Sequence, residues 1–159
     1  MKRGRAWRFG DNIDIDLILP THYIALPPDK YKDHCMEGIL PSFSQEIRPG
    51  DYLVAGKNFG CGNTHHQGNI AIRDLGVAGV IAESFGRNFF RASVAVGLPI
   101  LECSSAKNIS EGDEIEADFR TGKIVNLAKN EEYEGKPLEE PMKTILEKGG
   151  IIPYLKESK

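Results

Sequence analysis

Between Tyr52 and Leu101 three short apolar runs alternate with two stretches that stop at glycine, and this order constrains the fold more than any other feature of the chain. Tyr52-Leu53-Val54-Ala55-Gly56 reads as a strand, Gly68 to Leu75 as a helix stopped at Gly76, and Val77 to Ala82 as a buried strand. Ser84 is placed to cap a helix through Asn88, Phe89, Phe90 and Ala92 that ends at Gly97, and Leu98-Pro99-Ile100-Leu101 forms a third strand. Strands that alternate with short helices build a parallel α/β unit.

Other segments are arranged around that unit. Ile115, Ala117 and Phe119 alternate with Glu116 and Asp118, the period of a half-buried strand, so Gly112 to Leu127 reads as a hairpin turning at Thr121-Gly122. A helix is expected from about Glu139 to Lys148, with Met142, Ile145 and Leu146 on one face and Gly149-Gly150 ending it. Residues 6–19 end in an apolar run stopped by Pro20, read as a strand, and Asp11, Asp14 and Asp16 before it form either a polar turn entering that strand or a carboxylate at the strand edge facing a site. Residues 21–50, rich in proline and glycine, read as a long ordered loop with a short helix near Asp29 to Gly38; such loops serve as binding loops or lids. At 159 residues this is one α/β domain, residues 1–159, with a β-hairpin and a closing helix.

Composition removes several function classes. Net charge is −3 and the basic residues are scattered, so affinity for nucleic acid is not expected; the basic start, Met1 to Arg5, reads as a solvated terminus. No apolar run reaches the roughly 18 residues of a membrane span, and the start lacks the apolar stretch of a signal peptide. Cys35, Cys61 and Cys103 stand far apart, which reads as reduced thiols in the cytoplasm. A [4Fe–4S] cluster held by protein thiolates takes four cysteines, so any such cluster must sit on a partner.

The stretch FGCGNTHHQGN, residues 59–69, is the candidate site. Ligands of open α/β units collect beyond the carboxyl ends of strands, where amides and helix dipoles attract anions. Gly60 and Gly62 leave such a cradle sterically open around Cys61, and a small carboxylate is its natural guest. Glycines needed only for a strand-to-helix turn are the plainer reading. The pattern matches neither the dinucleotide nor the phosphate-loop fingerprint. Adjacent His65 and His66 would point about 100° apart on a helix, so they rarely share a zinc ion, and no metal site is expected. Cys61 reads as a packing residue ahead of a nucleophile lowered in pKa by a helix N-terminus.

Several separated segments, GRAWRFGDNIDIDLILP, VAGKNFGCG, VIAESFGRNFFRASVAVGLPILE, GDEIEADFRTGKIVNL and ILEKGGIIPYL, together resemble the small subunits of 3-isopropylmalate dehydratase and homoaconitase. These are separate-chain counterparts of the aconitase swivel domain, and the likeness runs nearly the whole length. The resemblance implies a swivelling β/β/α domain of the aconitase C-terminal type that closes over a larger subunit carrying a [4Fe–4S] cluster. It implies a hydro-lyase that removes water from a 2-hydroxy di- or tricarboxylate and returns it with the hydroxyl moved one carbon. Asp11 aligns with an aspartate near the family site, and Arg87 falls in a Ser-Phe-Ala-Arg-like stretch that here has Gly86 for alanine.

Two departures stand out. After Gly-Cys-Gly the family has Ser-Ser-Arg-Glu, whose first serine, as alkoxide, takes the carbon-bound proton and whose arginine holds a substrate carboxylate. Here these positions hold Asn63, Thr64, His65 and His66. Asn63 cannot be that base, and histidine exchanges a fixed bidentate cation for a group titrating near neutrality. The family's Tyr-Leu-Arg-like specificity segment appears as Tyr23-Ile24-Ala25-Leu26, with His22 beside it. Two readings follow. In one, Thr64 or His65 takes over proton transfer with Asp11 assisting, while Gly60, Cys61, Gly62, Asn63, His66, His22, Tyr23 and Arg87 bind a less charged substrate. In the other, the chain is a silent regulatory or binding subunit.

Overall fold

The computed structural model describes residues 2–62 and 65–157. Seven strands form one sheet in the order β4-β3-β2-β1-β5-β6-β7. β1 (Lys2–Arg8), β2 (Tyr52–Ala55), β3 (Gly79–Ala82) and β4 (Ile100–Glu102) run parallel to one another. β5 (Glu114–Ala117), β6 (Lys123–Asn126) and β7 (Glu131–Glu134) continue antiparallel from β1. Beyond β4 and β7 the sheet meets itself, since the Lys136 amide donates to the Glu102 carbonyl (2.7 Å) across an antiparallel bridge.

The parallel strands are covered on both faces, which is why they read as unbroken apolar runs. Leu53, Ala55, Val80, Ala82 and Ile100 face the helical core, whereas Tyr52, Val54, Ile81 and Leu101 face a second core with Ile115, Ile124 and Tyr133 of the curled antiparallel half. The layering is therefore β/β/α. The helical layer holds α1 (Ile15–Ile18), α2 (Phe43–Glu46), α3 (Gln67–Asp74), α4 (Arg87–Val96), α5 (Met142–Glu147) and α6 (Ile151–Glu157).

The parallel unit and the hairpin stand where the sequence places them, with shifts of one to three residues at their ends. Three expectations are corrected, and two elements were not anticipated. The basic start is no solvated tail: Lys2–Arg8 is a central strand, whose Arg3 and Arg5 meet Glu114 (3.0 Å) and Glu111 (2.9 Å). The apolar run before Pro20 is helical, because Asp14 accepts the Asp16 amide (2.8 Å) and so starts a helical turn. Ser84 does not cap α4, since Gly86 takes that position and the Ser84 hydroxyl accepts the Asn58 amide (2.8 Å). β7 and α6 lie in segments that gave no signal, although Met142, Ile145 and Leu146 of α5 pack on the core as their spacing implies. Residues 21–50 are ordered, with 3-10 turns at Thr21–Tyr23 and Pro28–His34.

β1 is fastened by one buried carboxylate. Asp51 accepts hydrogen bonds from the Arg5 amide (3.1 Å), the Trp7 indole (3.0 Å) and the Arg48 amide (3.0 Å). Asp51→Ala leaves these donors without their acceptor and is expected to cost about 3 kcal/mol, read as an earlier urea midpoint.

Candidate functional site

Beyond the carboxyl ends of β1, β2 and β3 the chain keeps strand-like pairing into the loops. The Gly60 amide donates to Ile13 O (2.8 Å) and Ile15 N to Cys61 O (2.8 Å) on one side. On the other, Phe59 N donates to Ser84 O (3.1 Å) and Gly86 N to Phe59 O (2.9 Å). The glycine loop is thus the middle ribbon of three, bridged at Asp14–Cys61 and Phe59–Phe85. Asp11 ties the ribbons together by accepting the Lys57 amide (2.8 Å), and the Asn58 side chain donates to Asn12 (3.2 Å).

The glycines are demanded by what lies against them. A Cβ on Gly60 would sit 2.2 Å from the Phe89 ring, and one on Gly62 would sit 2.2 Å from the Asp14 carboxylate. Cys61 between them is half-buried. Arg87, exposed, opens α4 directly after Gly86, whose backbone lies against Gly60 and Cys61.

His65 and His66 part company at the start of α3. His66 is exposed, and its carbonyl begins the helix by accepting the Ile70 amide (3.1 Å). His65 turns inward, with only 13% of its side chain exposed. Its Nδ1 accepts the Gly68 amide (3.3 Å), so in the neutral ring the proton sits on Nε2, which lies 3.8 Å from Asp16 Oδ1. Burial pushes the His65 pKa down, and the nearby Asp16 carboxylate opposes that only in part. The ring is therefore neutral at pH 7, with its lone pair already engaged.

Loop residues 21–37 form a second constellation. Tyr23 donates its hydroxyl to Glu37 Oε1, and His34 Nδ1 lies 2.8 Å from Glu37 Oε2. The Tyr23 and His34 rings stack at 3.8 Å and 11°, and the His22 ring lies 4.1 Å from Tyr23. The hydrogen bond to Glu37 raises the Tyr23 pKa, while the Tyr23 and His34 bonds hold the Glu37 carboxyl below its usual value. Thr21 links this group to the first by donating to Asp16 Oδ1 (2.9 Å), the carboxylate that faces His65.

Asp11, Gly60, Cys61, Gly62 and Arg87 thus share one end of the sheet, with His65 and His66 at the α3 start and His22 and Tyr23 on the adjoining loop. Asn63 and Thr64 lie outside the described residues. Sequence reading placed Asp16 among the three aspartates of a turn and passed over His34 and Glu37, which carry no motif and act only through contacts made by folding. Among the described residues no three His, Cys, Asp or Glu side chains converge to hold a metal ion.

Comparison with known proteins bears on the same segments. The family described as the aconitase C-terminal domain matches residues 27–106. The 3-isopropylmalate dehydratase small subunit of Clostridium botulinum is 46% identical over 97% of both chains. The isopropylmalate/citramalate isomerase small subunit of Methanocaldococcus jannaschii is 43% identical over 98% of this chain and 94% of its own. The crystal structure of 3-isopropylmalate dehydratase from Methanocaldococcus jannaschii superposes with a TM-score of 0.94 at 38% identity, covering 98% of this chain and 93% of that one. With its β/β/α layering and its cradle of paired strand ends, the chain belongs to the aconitase C-terminal domain family, among the small subunits of its dehydratases and isomerases.

Proposed function

We propose that the chain is the small subunit of an aconitase-type hydro-lyase acting on a 2-hydroxy dicarboxylate of the isopropylmalate or citramalate class. The three-ribbon cradle at the ends of β1, β2 and β3 carries this reading: its paired backbone and close-packed glycines hold the surrounding side chains in place at the end of the sheet where open α/β units bind ligands. The reaction removes a carbon-bound proton and the neighbouring hydroxyl as water, leaving a double bond, then returns water with the hydroxyl on the other carbon. A larger partner subunit supplies the rest of the site in a heterodimer or heterotetramer. The residues of this chain do not fit a [4Fe–4S] cluster, since Cys35 and Cys103 are buried apart from half-buried Cys61, so the cluster is assigned to the partner. No helix among the described residues is long and apolar enough to cross a membrane, and reduced thiols suit the cytoplasm as the place of work.

Each residue then takes a role. Thr64, occupying the position after the lost serine, takes the carbon-bound proton as its alkoxide and becomes the neutral hydroxyl. His65, inward-facing with its lone pair on Gly68 N–H, fixes the start of α3 at the edge of the site. Asp11 holds the glycine ribbon through Lys57, Gly60 and Gly62 let that ribbon pack against Phe89 and Asp14 within the binding site, and Cys61, Asn63, His66 and Arg87 present polar groups to the carboxylates. His22 and Tyr23 line the side that selects the substrate. The silent-subunit reading is not favoured, because the relatives are named as dehydratase and isomerase subunits.

The test is hydration of isopropylmaleate, citraconate and cis-aconitate by the chain mixed with its reconstituted large subunit, followed as loss of double-bond absorbance. Turnover of the first or second is expected. A stable complex with an intact cluster and no turnover of any would reject the reading.

A further inference from the structure

We propose that Glu37 is the positioning residue of the substrate-selecting loop, holding Tyr23 and His34 as one stacked aromatic plate; this rests on the placing of Tyr23 at the substrate side proposed above. Glu37 is itself held with unusual firmness. The residue before it, Met36, is fully buried and adopts φ 59°, a left-handed conformation that costs a non-glycine residue stability. The Met36 amide donates to Ile18 O (2.7 Å), which ties this point of the loop to the end of α1. Burial and hydrogen bonding together keep the left-handed turn, and the turn fixes where the Glu37 side chain starts.

From there both carboxylate oxygens are used. One accepts the Tyr23 hydroxyl and the other takes His34 Nδ1 at 2.8 Å. A carboxylate only accepts, so His34 must carry a proton on Nδ1, leaving Nε2 as its other polar atom. Tyr23 has spent its one proton on Glu37. Neither ring can turn without breaking its bond to the carboxylate or its stacking on the other, at 3.8 Å and 11°. The loop also closes on itself where Tyr31 donates its hydroxyl to Ile24 O (2.9 Å). The result is a rigid aromatic surface beside Tyr23-Ile24-Ala25-Leu26, backed by a negative charge. Such a surface accepts an apolar branch and repels a further carboxylate.

Steady-state kinetics of the assembled enzyme test this together with 15N NMR of the His34 ring. Glu37→Ala is expected to raise KM about ten-fold and leave kcat within about two-fold, the size of one lost hydrogen-bonded anchor. Tyr23→Phe is expected to raise KM similarly, and the double variant to add little to either single change. Glu37→Gln should recover most of the KM, because an amide can accept from Tyr23 and donate to a His34 whose proton has moved to Nε2. The NMR signature is protonation of Nδ1 in the wild type and of Nε2 in Glu37→Gln. An unchanged KM in Glu37→Ala, additive single effects, or a wild-type His34 with no proton on Nδ1 would each overturn the proposal while the hydro-lyase reading stands. Wild-type enzyme without turnover removes both.

Discussion

Gly60→Ala should destabilise the folded chain by about 3–5 kcal/mol, near the lower end of the stability of a whole domain. Two penalties combine. Gly60 has φ +81°, a conformation alanine adopts at a cost of about 1–2 kcal/mol. The added methyl would also stand 2.2–2.6 Å from atoms of Phe89, a ring that is fully buried and packed edge-on against Phe59 at 5.2 Å. Phe89 cannot move aside without opening the core beneath the cradle. Thermal unfolding should show a melting temperature lower by about 10 °C. Gly112→Ala separates the two penalties, since Gly112 has φ +86° with nothing within 4 Å of the new methyl. It should cost only the conformational share, and equal losses at both positions would refute the clash.

His65→Ala is expected to lower kcat of the assembled enzyme by about 100-fold, the usual scale when a reacting group is displaced by an ångström. The ring fastens the start of α3 through Gly68 and lies beside Asp16 of α1, so its loss loosens the start of the helix that follows the proposed reacting residue. His65→Gln retains an acceptor for the Gly68 amide and should recover part of the rate. A base would behave otherwise: Gln could not rescue it, and the acid limb of the pH profile would vanish with the ring. The same residue makes stability depend on pH. Its folded pKa lies below the unfolded value of about 6.5, so the unfolded chain takes up the proton first as pH falls. The contribution is fully present above about pH 6.5 and is lost as pH falls through the lower, folded pKa. Melting temperatures between pH 7.5 and 5 should therefore fall more steeply for the wild type than for His65→Gln.

The parallel unit was legible because its strands are buried on both faces and its helices end at glycines, so local composition and tertiary role agree. β1 was not. Its outward positions are Arg3 and Arg5, whose charges are matched only by Glu114 and Glu111 far along the chain, and a run of basic residues gives no hint of such partners. β7 contributes a single buried side chain, Tyr133, among glutamates. In the candidate site the glycines could be read from the sequence, because they mark backbone. The posture of His65 could not, since the tautomer follows from a hydrogen bond made at the start of α3. Glu37 was hidden for a related reason: it lies fourteen residues from Tyr23 across a loop of separate 3-10 turns, where no single helix or strand carries a period from one to the other.

The meeting of Glu102 with Lys136 has a bearing on how this chain can associate. A sheet that ends in open strands invites other chains to add to it. Here the end of β4 is taken up by the segment after β7, and the rest of β7 is four residues long with glutamates at 131, 132 and 134. Like charges facing one another make that rim a poor template for a second copy. Recruitment of a partner is thereby steered away from strand addition and toward the loop-built end of the sheet, where the backbone is already paired and recognition rests with side chains. The chain can thus await its large subunit without offering sheet edges to the wrong neighbour.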